Sequence, residues 1–194
     1  VMGGGGNDIH FGIYRDETDG VRESANRTTE WMMQQLDMAK EITKDMHVLD
    51  VGSGHGGGSH AMAKKFGCKV TGINIGPGQN AMNLAKAKEL GLEDKVDAVV
   101  GNINEPLPEE WTNKFDAIWS CEVLCHAGDK LALFKDLYRC LKPGGAFVFS
   151  DICGADGADE KALKAFTDRN ATTFMGRPSQ YIEYVKDSGF TYVN

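Results

Sequence analysis

Two kinds of segment alternate along the chain. In short segments the apolar residues are nearly continuous, which is typical of strands buried on both faces of a parallel sheet. In longer segments the apolar residues recur every three to four positions, which is typical of one buried helix face. Strands are predicted at residues 46–51, 69–73, 96–100, 115–119 and 146–150, with a further strand beginning at Phe190. Helices are predicted at residues 21–40, 59–66, 79–90, 131–141, 159–170 and 179–187.

The alternation of strand and helix predicts an α/β fold with a doubly wound, mostly parallel sheet and helices on both faces. In such a sheet the carboxyl ends of the strands meet at one edge, and ligands bind in the crevice outside them. The first helix has an apolar face, and its Trp31 and methionines are expected to lie in the core. Residues that directly follow a strand are therefore the candidates for binding and chemistry.

Composition limits the classes of function. The chain has 194 residues, of which 41% are hydrophobic, and this suffices for one core and one domain. The net charge is -7 and the 21 Lys and Arg residues are scattered, so a small molecule is a better partner than nucleic acid. No apolar stretch reaches the roughly 20 residues that span a bilayer, and the first residues do not have a signal peptide's pattern. A cytoplasmic location is expected.

The five cysteines are odd in number and widely dispersed, in a chain too large to need disulfides, so we expect reduced thiols. Cys121 and Cys125 are four positions apart, but no second pair with metal-ligand spacing accompanies them. We interpret them as small buried apolar residues and expect no metal site.

The stretch HVLDVGSGHGGG, residues 47–58, carries the strongest chemical signal. A buried strand ends there in a glycine loop, and glycines let a ligand approach the backbone and the N-terminus of the next helix. The dinucleotide pattern G-x-G-x-x-G is also satisfied, by Gly52, Gly54 and Gly57. A dinucleotide site would have an acidic residue about 20 positions further on, where this chain has Asn74. The loop therefore predicts a nucleotide-like cofactor, and the acid Asp50 favours one other than a dinucleotide.

The arrangement D-x-G-x-G-x-G from Asp50, together with the turn L-K-P-G-G at residues 141–145, resembles the class I S-adenosylmethionine-dependent methyltransferases. The resemblance implies a Rossmann-like sheet of six parallel strands and a seventh antiparallel one. Since the sequence stops soon after Phe190, we expect it to lack the C-terminal hairpin of that fold and to be incomplete. The resemblance also implies S-adenosyl-L-methionine as the cofactor and S-adenosyl-L-homocysteine as the product.

The glycine loop is expected to hold the amino acid part of this cofactor, with loop N–H groups toward its carboxylate and Asp50 toward its ammonium. Contact through water or the loop backbone is an alternative for Asp50, and so is a local role in capping the turn. Asn102 and Ile103, after the third strand, are expected to bind the adenine, although a turn-forming role for Asn102 stays open. The loop residues expected to bind the cofactor are Gly52, Ser53 and Gly54.

The second strand leads to Asn74 and Ile75, and Gln79 follows at the start of the next helix. Both amides can donate and accept hydrogen bonds, which suits a ribose diol. The resemblance to class I methyltransferases would imply an acidic residue at the position of Asn74, so this chain departs from the usual pattern. The departure resembles the branch that contains cyclopropane fatty acid synthases, tocopherol methyltransferases and sarcosine or dimethylglycine methyltransferases. The alternative is that Gln79 is only a helix N-terminal residue.

After the fourth strand, residues 119–126 are expected to lie where the methyl group meets its acceptor. Ser120 is expected to bind the cofactor, and Glu122 is expected to act as a charged partner. His126 is a candidate to orient a ligand or to take a proton. The alternative is that His126 is a histidine satisfied at the start of a helix.

A narrower resemblance covers nearly the whole chain. Residues 7–14, 22–31 and 74–80 look like segments of the sarcosine/dimethylglycine N-methyltransferases of betaine synthesis. It implies an N-terminal lid at residues 1–20 and a cofactor-binding domain at residues 21–194. The residues that it places over or near the cofactor are His10, Tyr14 and Arg27. Without the resemblance, Tyr14 would be a packing residue at a turn.

The predicted reaction is methyl transfer to the amine nitrogen of a small amino acid such as sarcosine or dimethylglycine, toward glycine betaine. The amine must first lose a proton, and Tyr14 and His126 are the predicted catalytic residues. Two alternatives stay open: a C-methyltransferase of the tocopherol or cyclopropane-synthase-like branch, and a cofactor-binding domain without activity. The sequence leaves open whether the chain forms a homodimer.

Overall fold

The computed structural model describes residues 8–170, 172 and 174–191. The strands are β1 (His47–Val51), β2 (Lys69–Asn74), β3 (Val96–Val100), β4 (Phe115–Cys121) and β5 (Leu141–Ser150). The helices are α1 (Val21–Ala39), α2 (Gly57–Phe66), α3 (Pro77–Glu89), α4 (Lys130–Cys140), α5 (Glu160–Asn170) and α6 (Pro178–Asp187). Two short 3-10 helices lie at Glu109–Trp111 and Leu124–His126. The start of the predicted lid, residues 1–7, lies outside the described residues.

The five strands form one sheet in the order β3-β2-β1-β4-β5, and each neighbouring pair is parallel. The chain first builds outward from β1 to β3 and then returns to add β4 and β5 on the other side of β1. This reversal creates a topological switch point between β1 and β4, where ligands of doubly wound folds bind. The predicted fold class is confirmed.

Each face of the sheet has its own core, because successive side chains of a strand point to opposite faces. Val48 packs with the buried residues of α1, α2 and α3. Leu49 and Val51 pack with those of α4 and α6 on the other side. All three side chains are fully buried. The sheet is thus fixed between two helical layers, and its strand ends are held in register.

The predicted core face of α1 is partly wrong. Trp31 is 50% exposed, whereas the neighbouring Met33 is 5% exposed and lies in the core. The buried face of α1 includes Thr29, Met32 and Met33, because this face packs toward the sheet. Trp31 lies on the solvent-exposed face of the helix.

The strand predicted at residues 146–150 begins earlier, at Leu141, and the preceding helix ends at Cys140. Leu141 pairs with Phe115, and Ala146 pairs with Ala117, so the intervening residues form an irregularity within β5. Lys142 Nζ donates to both carboxylate oxygens of Asp116, at 2.9 and 2.8 Å. The L-K-P-G-G segment is therefore tied to the sheet rather than forming a separate turn.

The strand that was predicted to begin at Phe190 does not begin there. Phe190 and Thr191 are not strand residues, and the remainder of that prediction lies outside the described residues. Phe190 packs its ring against Tyr138 and Phe147, with ring centroids 5.1 and 5.8 Å apart. In the described part of the chain, no helix is both long and apolar enough to cross a membrane.

Truncating the α1 core residue Leu36 to Ala is expected to lower the free energy of unfolding by about 2–5 kcal/mol, because its fully buried side chain leaves a cavity. Met38, on the same helix, is 79% exposed, so Met38→Ala should change this free energy by less than about 0.5 kcal/mol. Urea denaturation of both variants measures the difference. Equal effects would contradict the placement of α1.

Candidate functional site

A cavity of about 950 Å³ opens at the carboxyl ends of the strands. It lies outside the switch point of the sheet, where the glycine loop leaves β1. Twelve of the fourteen predicted site residues line it: His10, Tyr14, Asp50, Gly52, Ser53, Gly54, Asn74, Ile75, Gln79, Asn102, Ile103 and His126. Residues that lie far apart in the sequence therefore meet around one space.

Arg27 and Ser120 do not line this cavity. The Ser120 side chain is fully buried, and its Oγ donates a hydrogen bond to the Val51 carbonyl oxygen at 3.1 Å. Arg27 forms ion pairs with Asp19 and Glu23, and its Nη1 donates to the Ile13 carbonyl oxygen at 3.0 Å. Ser120 thus joins β4 to β1, and Arg27 anchors the segment that precedes α1 instead of facing the cavity.

The turn after β1 strongly favours glycine. Gly52, Gly54 and Gly56 have φ angles of 75°, 52° and 86°, in the left-handed region that side chains with a Cβ disfavour. A Cβ on Gly52 would lie 2.2 Å from a Val123 methyl group, and one on Gly56 would lie 2.1 Å from the Asn83 Oδ1. The turn therefore brings its bare backbone to the wall of the cavity.

Three amides of this turn already have partners. The N–H groups of Gly52 and Ser53 both donate to the Ile73 carbonyl oxygen, at 2.8 and 3.2 Å. They tie the turn to the end of β2, so the expectation that the loop amides as a group face a ligand carboxylate does not hold for these two. The Gly56 amide is used within the turn, since it donates to the Ser53 carbonyl oxygen at 2.8 Å. Gly54, Gly57 and Gly58 line the cavity, and their amides are the ones that can serve a ligand.

Asp50 is a buried acid on the cavity wall. It is 3% exposed and accepts a hydrogen bond from the Ser59 Oγ of α2 at 2.6 Å. Burial raises the pKa of its carboxyl to about 6, because the charged form loses its hydration. A cationic group in the cavity would stabilise the ionised form, so the site is suited to an ammonium.

Asn74 and Gln79 act as a pair. The Asn74 Nδ2 donates to the Gln79 Oε1 at 2.9 Å, and both residues line the cavity. Gly76 makes room for this contact, since a Cβ there would lie 2.5 Å from the Gln79 Oε1. Gln79 therefore has a defined place in the site. The Asn74 oxygen and the Gln79 nitrogen keep capacity for the hydroxyl groups of a ligand.

The loop after β3 is built by asparagine side chains. Asn102 Oδ1 accepts a hydrogen bond from the Asn104 amide at 3.0 Å, which is the turn-forming role that was left open for Asn102. Asn104 in turn accepts from the Gly128 amide at 2.7 Å and donates to the His126 carbonyl oxygen at 3.3 Å. Asn104, a site residue that the sequence did not single out, thus holds His126 beside the loop that follows β3.

The segment before α1 is fastened over the cavity. The Phe11 amide donates to the Glu122 carboxylate at 3.0 Å, and its carbonyl oxygen accepts from the Thr28 Oγ1 at 2.9 Å. His10 Nε2 lies 3.1 Å from the Thr29 Oγ1. Burial raises the pKa of Glu122, which also has a positive φ of 56°. Glu122 was expected to be a charged partner, and the structure gives it this anchoring contact.

The two candidate catalytic side chains, Tyr14 and His126, are both exposed. Cys121 and Cys125 have thiols whose pKa burial raises to about 12, so both stay protonated near neutral pH. Among the residues that the structure describes, no group of three His, Cys, Asp or Glu side chains is placed to hold a metal ion.

Comparison with known proteins identifies the family of the chain. Residues 42–185 match a methyltransferase domain family. The sarcosine/dimethylglycine N-methyltransferase of Halorhodospira halochloris is 32% identical over 186 residues, which cover 96% of this chain and 65% of that protein. The chain thus spans just under two thirds of the length of this curated relative.

Two solved structures share the fold. One, from Galdieria sulphuraria and provisionally assigned as a sarcosine dimethylglycine methyltransferase, has a TM-score of 0.88 and 33% identity over 94% of this chain and 67% of that one. The other is Haemonchus contortus phosphoethanolamine N-methyltransferase 2 in complex with S-adenosyl-L-methionine, with a TM-score of 0.72 and 25% identity over 82% of this chain and 36% of that one. The family match over most of the chain, on this fold, shows that the chain belongs to the methyltransferase domain family.

Proposed function

We propose that this chain binds S-adenosyl-L-methionine and transfers its methyl group to the amine nitrogen of a small amino acid such as sarcosine or dimethylglycine, toward glycine betaine. One observation carries the proposal: a single cavity joins the glycine turn, a buried acid and an amide pair at the switch point of the sheet. The similarity to a sarcosine/dimethylglycine N-methyltransferase over nearly the whole chain supports this acceptor class.

The residues present fit the cofactor. Asp50 would hold the ammonium of its amino acid part, and the bare backbone at Gly54 would let that part approach. Asn74 and Gln79 would bind the ribose hydroxyls, since each amide keeps hydrogen-bonding capacity beyond their mutual contact. Asn102, partly used in its own turn, and Ile103 would border the adenine. When bound, the cofactor supplies a methyl group already activated by its sulfonium.

Because the methyl group is already activated, the protein's contribution is chiefly to position the acceptor. Holding two reacting groups in line contributes about 7 kcal/mol or more. The segment fastened by Glu122 and Thr28 would exclude water from the cavity. An amine with a pKa near 10 must lose a proton before it can attack, and Tyr14 and His126 are the side chains that we propose accept or relay it.

Other acceptors define the alternatives. The phosphoethanolamine N-methyltransferase that shares the fold acts on an amine that carries a phosphate. Methylation at carbon and a binding domain without activity are the further alternatives. An activity assay distinguishes these alternatives. A C-methyltransferase would methylate a phenolic or alkene acceptor but no amine, whereas a binding domain without activity would methylate no acceptor.

The cofactor assignment predicts that S-adenosyl-L-homocysteine binds and that NAD does not compete with it. The reason is that Asp50 complements an ammonium and would repel a pyrophosphate. Isothermal titration calorimetry with each ligand, and with one in the presence of the other, measures this. Tighter binding of NAD would refute the proposed cofactor.

The affinity for S-adenosyl-L-homocysteine is expected to rise with pH and to level off above about pH 7. The ligand ammonium pairs with the ionised carboxylate of Asp50. Because the pKa of Asp50 is about 6, this form is the major one only above about pH 6. At pH 5 the affinity should be roughly tenfold lower than at pH 7.

Two controls separate this effect from a general effect of pH. Adenosine does not have the amino acid part, so its affinity should not change over the same range. Asp50→Asn should bind S-adenosyl-L-homocysteine more weakly and with little dependence on pH. An unchanged pH dependence in this variant would show that another group titrates.

Glu122→Ala is expected to increase the hydrogen-exchange rate of the Phe11 amide about tenfold or more, because a hydrogen bond to a charged group is lost. Glu122→Gln keeps an acceptor oxygen at the same place and should have a smaller effect. Hydrogen exchange followed by mass spectrometry or NMR compares the two. If the Phe11 amide is equally protected in both variants, Glu122 does not anchor the segment.

A further inference from the structure

Lys130 is buried at the start of α4, where a positive charge is unfavourable. Its side chain is 2% exposed, and burial lowers the pKa of its ammonium because the charged form loses hydration. As the first residue of α4, it also lies at the positive end of the helix dipole. A buried cation in such a place must be stabilised by close contacts.

Three close contacts surround this ammonium. Lys130 Nζ donates to the Ala127 carbonyl oxygen at 2.9 Å and to the Cys125 carbonyl oxygen at 3.4 Å. The centroid of the Phe174 ring lies 4.3 Å from Nζ, and the ring face attracts a cation. An ammonium has three N–H donors, so it can serve all three contacts at once.

The contacts hold the backbone on both sides of His126. Cys125 and Ala127 are its neighbours in the chain, and the His126 carbonyl oxygen itself accepts from the Asn104 Nδ2 at 3.3 Å. Side chains thus bind three successive carbonyl groups. His126 lines the cavity, whereas the buried Lys130 does not. Lys130 can therefore reach the site only through the backbone that carries His126.

A purely local role is the alternative for Lys130. The short 3-10 helix Leu124–His126 ends at these carbonyl groups, and binding them stabilises its end. The two roles predict different effects. A local cap contributes to stability alone, whereas a positioning residue also sets the rate, because a misplacement of about 1 Å can lower a rate about 100-fold.

We propose that Lys130 is a positioning residue, whose ammonium binds the carbonyl oxygens on both sides of His126 and holds the imidazole where it meets the acceptor amine. This inference rests on the proposed function, in which His126 accepts or relays the proton of that amine. Lys130 itself contacts neither the cofactor nor the acceptor.

The first measurement follows the loop and needs no turnover. Lys130→Met removes the N–H donors from a side chain of similar length. It should increase the hydrogen-exchange rates of the His126 and Ala127 amides about tenfold or more, since the 3-10 helix that protects them loses its support. Lys135→Met removes a charge from an exposed position of the same helix and should change these rates less than about twofold.

The second measurement separates positioning from stability. With dimethylglycine as acceptor, Lys130→Met should lower kcat about tenfold or more and change the KM for S-adenosyl-L-methionine less than about twofold. Here kcat is expressed per S-adenosyl-L-homocysteine binding site, counted by calorimetry, so that unfolded protein does not contribute. Lys130→Arg keeps a cation with N–H donors and should restore part of kcat.

A double-mutant cycle shows whether Lys130 acts through His126. In a His126→Ala background, Lys130→Met should lower kcat less than about twofold, because the imidazole that it positions is gone. The same fold-loss in both backgrounds would refute the inference. If Lys130→Met binds no S-adenosyl-L-homocysteine, the same comparisons are decided with Lys130→Gln, which keeps an amide donor for one of the two carbonyl groups.

The inference and the proposed function fail in different ways. If wild type methylates dimethylglycine and Lys130→Met keeps either the wild-type kcat or the wild-type exchange rates, the role of Lys130 is refuted and the proposed function stands. If wild type binds S-adenosyl-L-homocysteine but methylates no amine, the proposed acceptor class is refuted, and the inference with it.

Discussion

The structure depends on one constraint: the backbone must turn sharply at the end of β1 without any side chain on the inner side. Gly52, Gly54 and Gly56 meet it with positive φ angles, and the Val123 and Asn83 side chains occupy the space that Cβ atoms would need. The turn lies at the switch point of the sheet, so the strands on both sides deliver their following loops to it. The same tight packing that excludes side chains there leaves the cavity open on the ligand side.

Burial around this turn also sets its electrostatics. Asp50 loses hydration on the cavity wall and accepts a hydrogen bond from the Ser59 hydroxyl. Such a carboxyl holds its proton at a pH where an exposed one would not, and it gains most from a cationic ligand.

Much of the fold could be predicted from the sequence because apolar periodicity is local. The five strands and the six helices arise from it, and the glycine loop and the residues after each strand indicated many of the residues that line the cavity. What could not be predicted depends on contacts between distant segments. Trp31 and Met33 have similar polarity, and only the packing of α1 decides which of them faces the sheet. Arg27 and Glu122 were assigned by resemblance or by charge, whereas their partners lie in the segment before α1.

The central claim is that the glycine turn and the buried acid together hold the amino acid part of an adenosyl ligand. A crystal structure of the chain with S-adenosyl-L-homocysteine tests it most directly. We expect the ligand's ammonium within hydrogen-bonding distance of the Asp50 carboxylate, with its ribose hydroxyls bound by Asn74 and Gln79. A ligand bound with its ribose at the glycine turn, or outside this cavity, would contradict the claim.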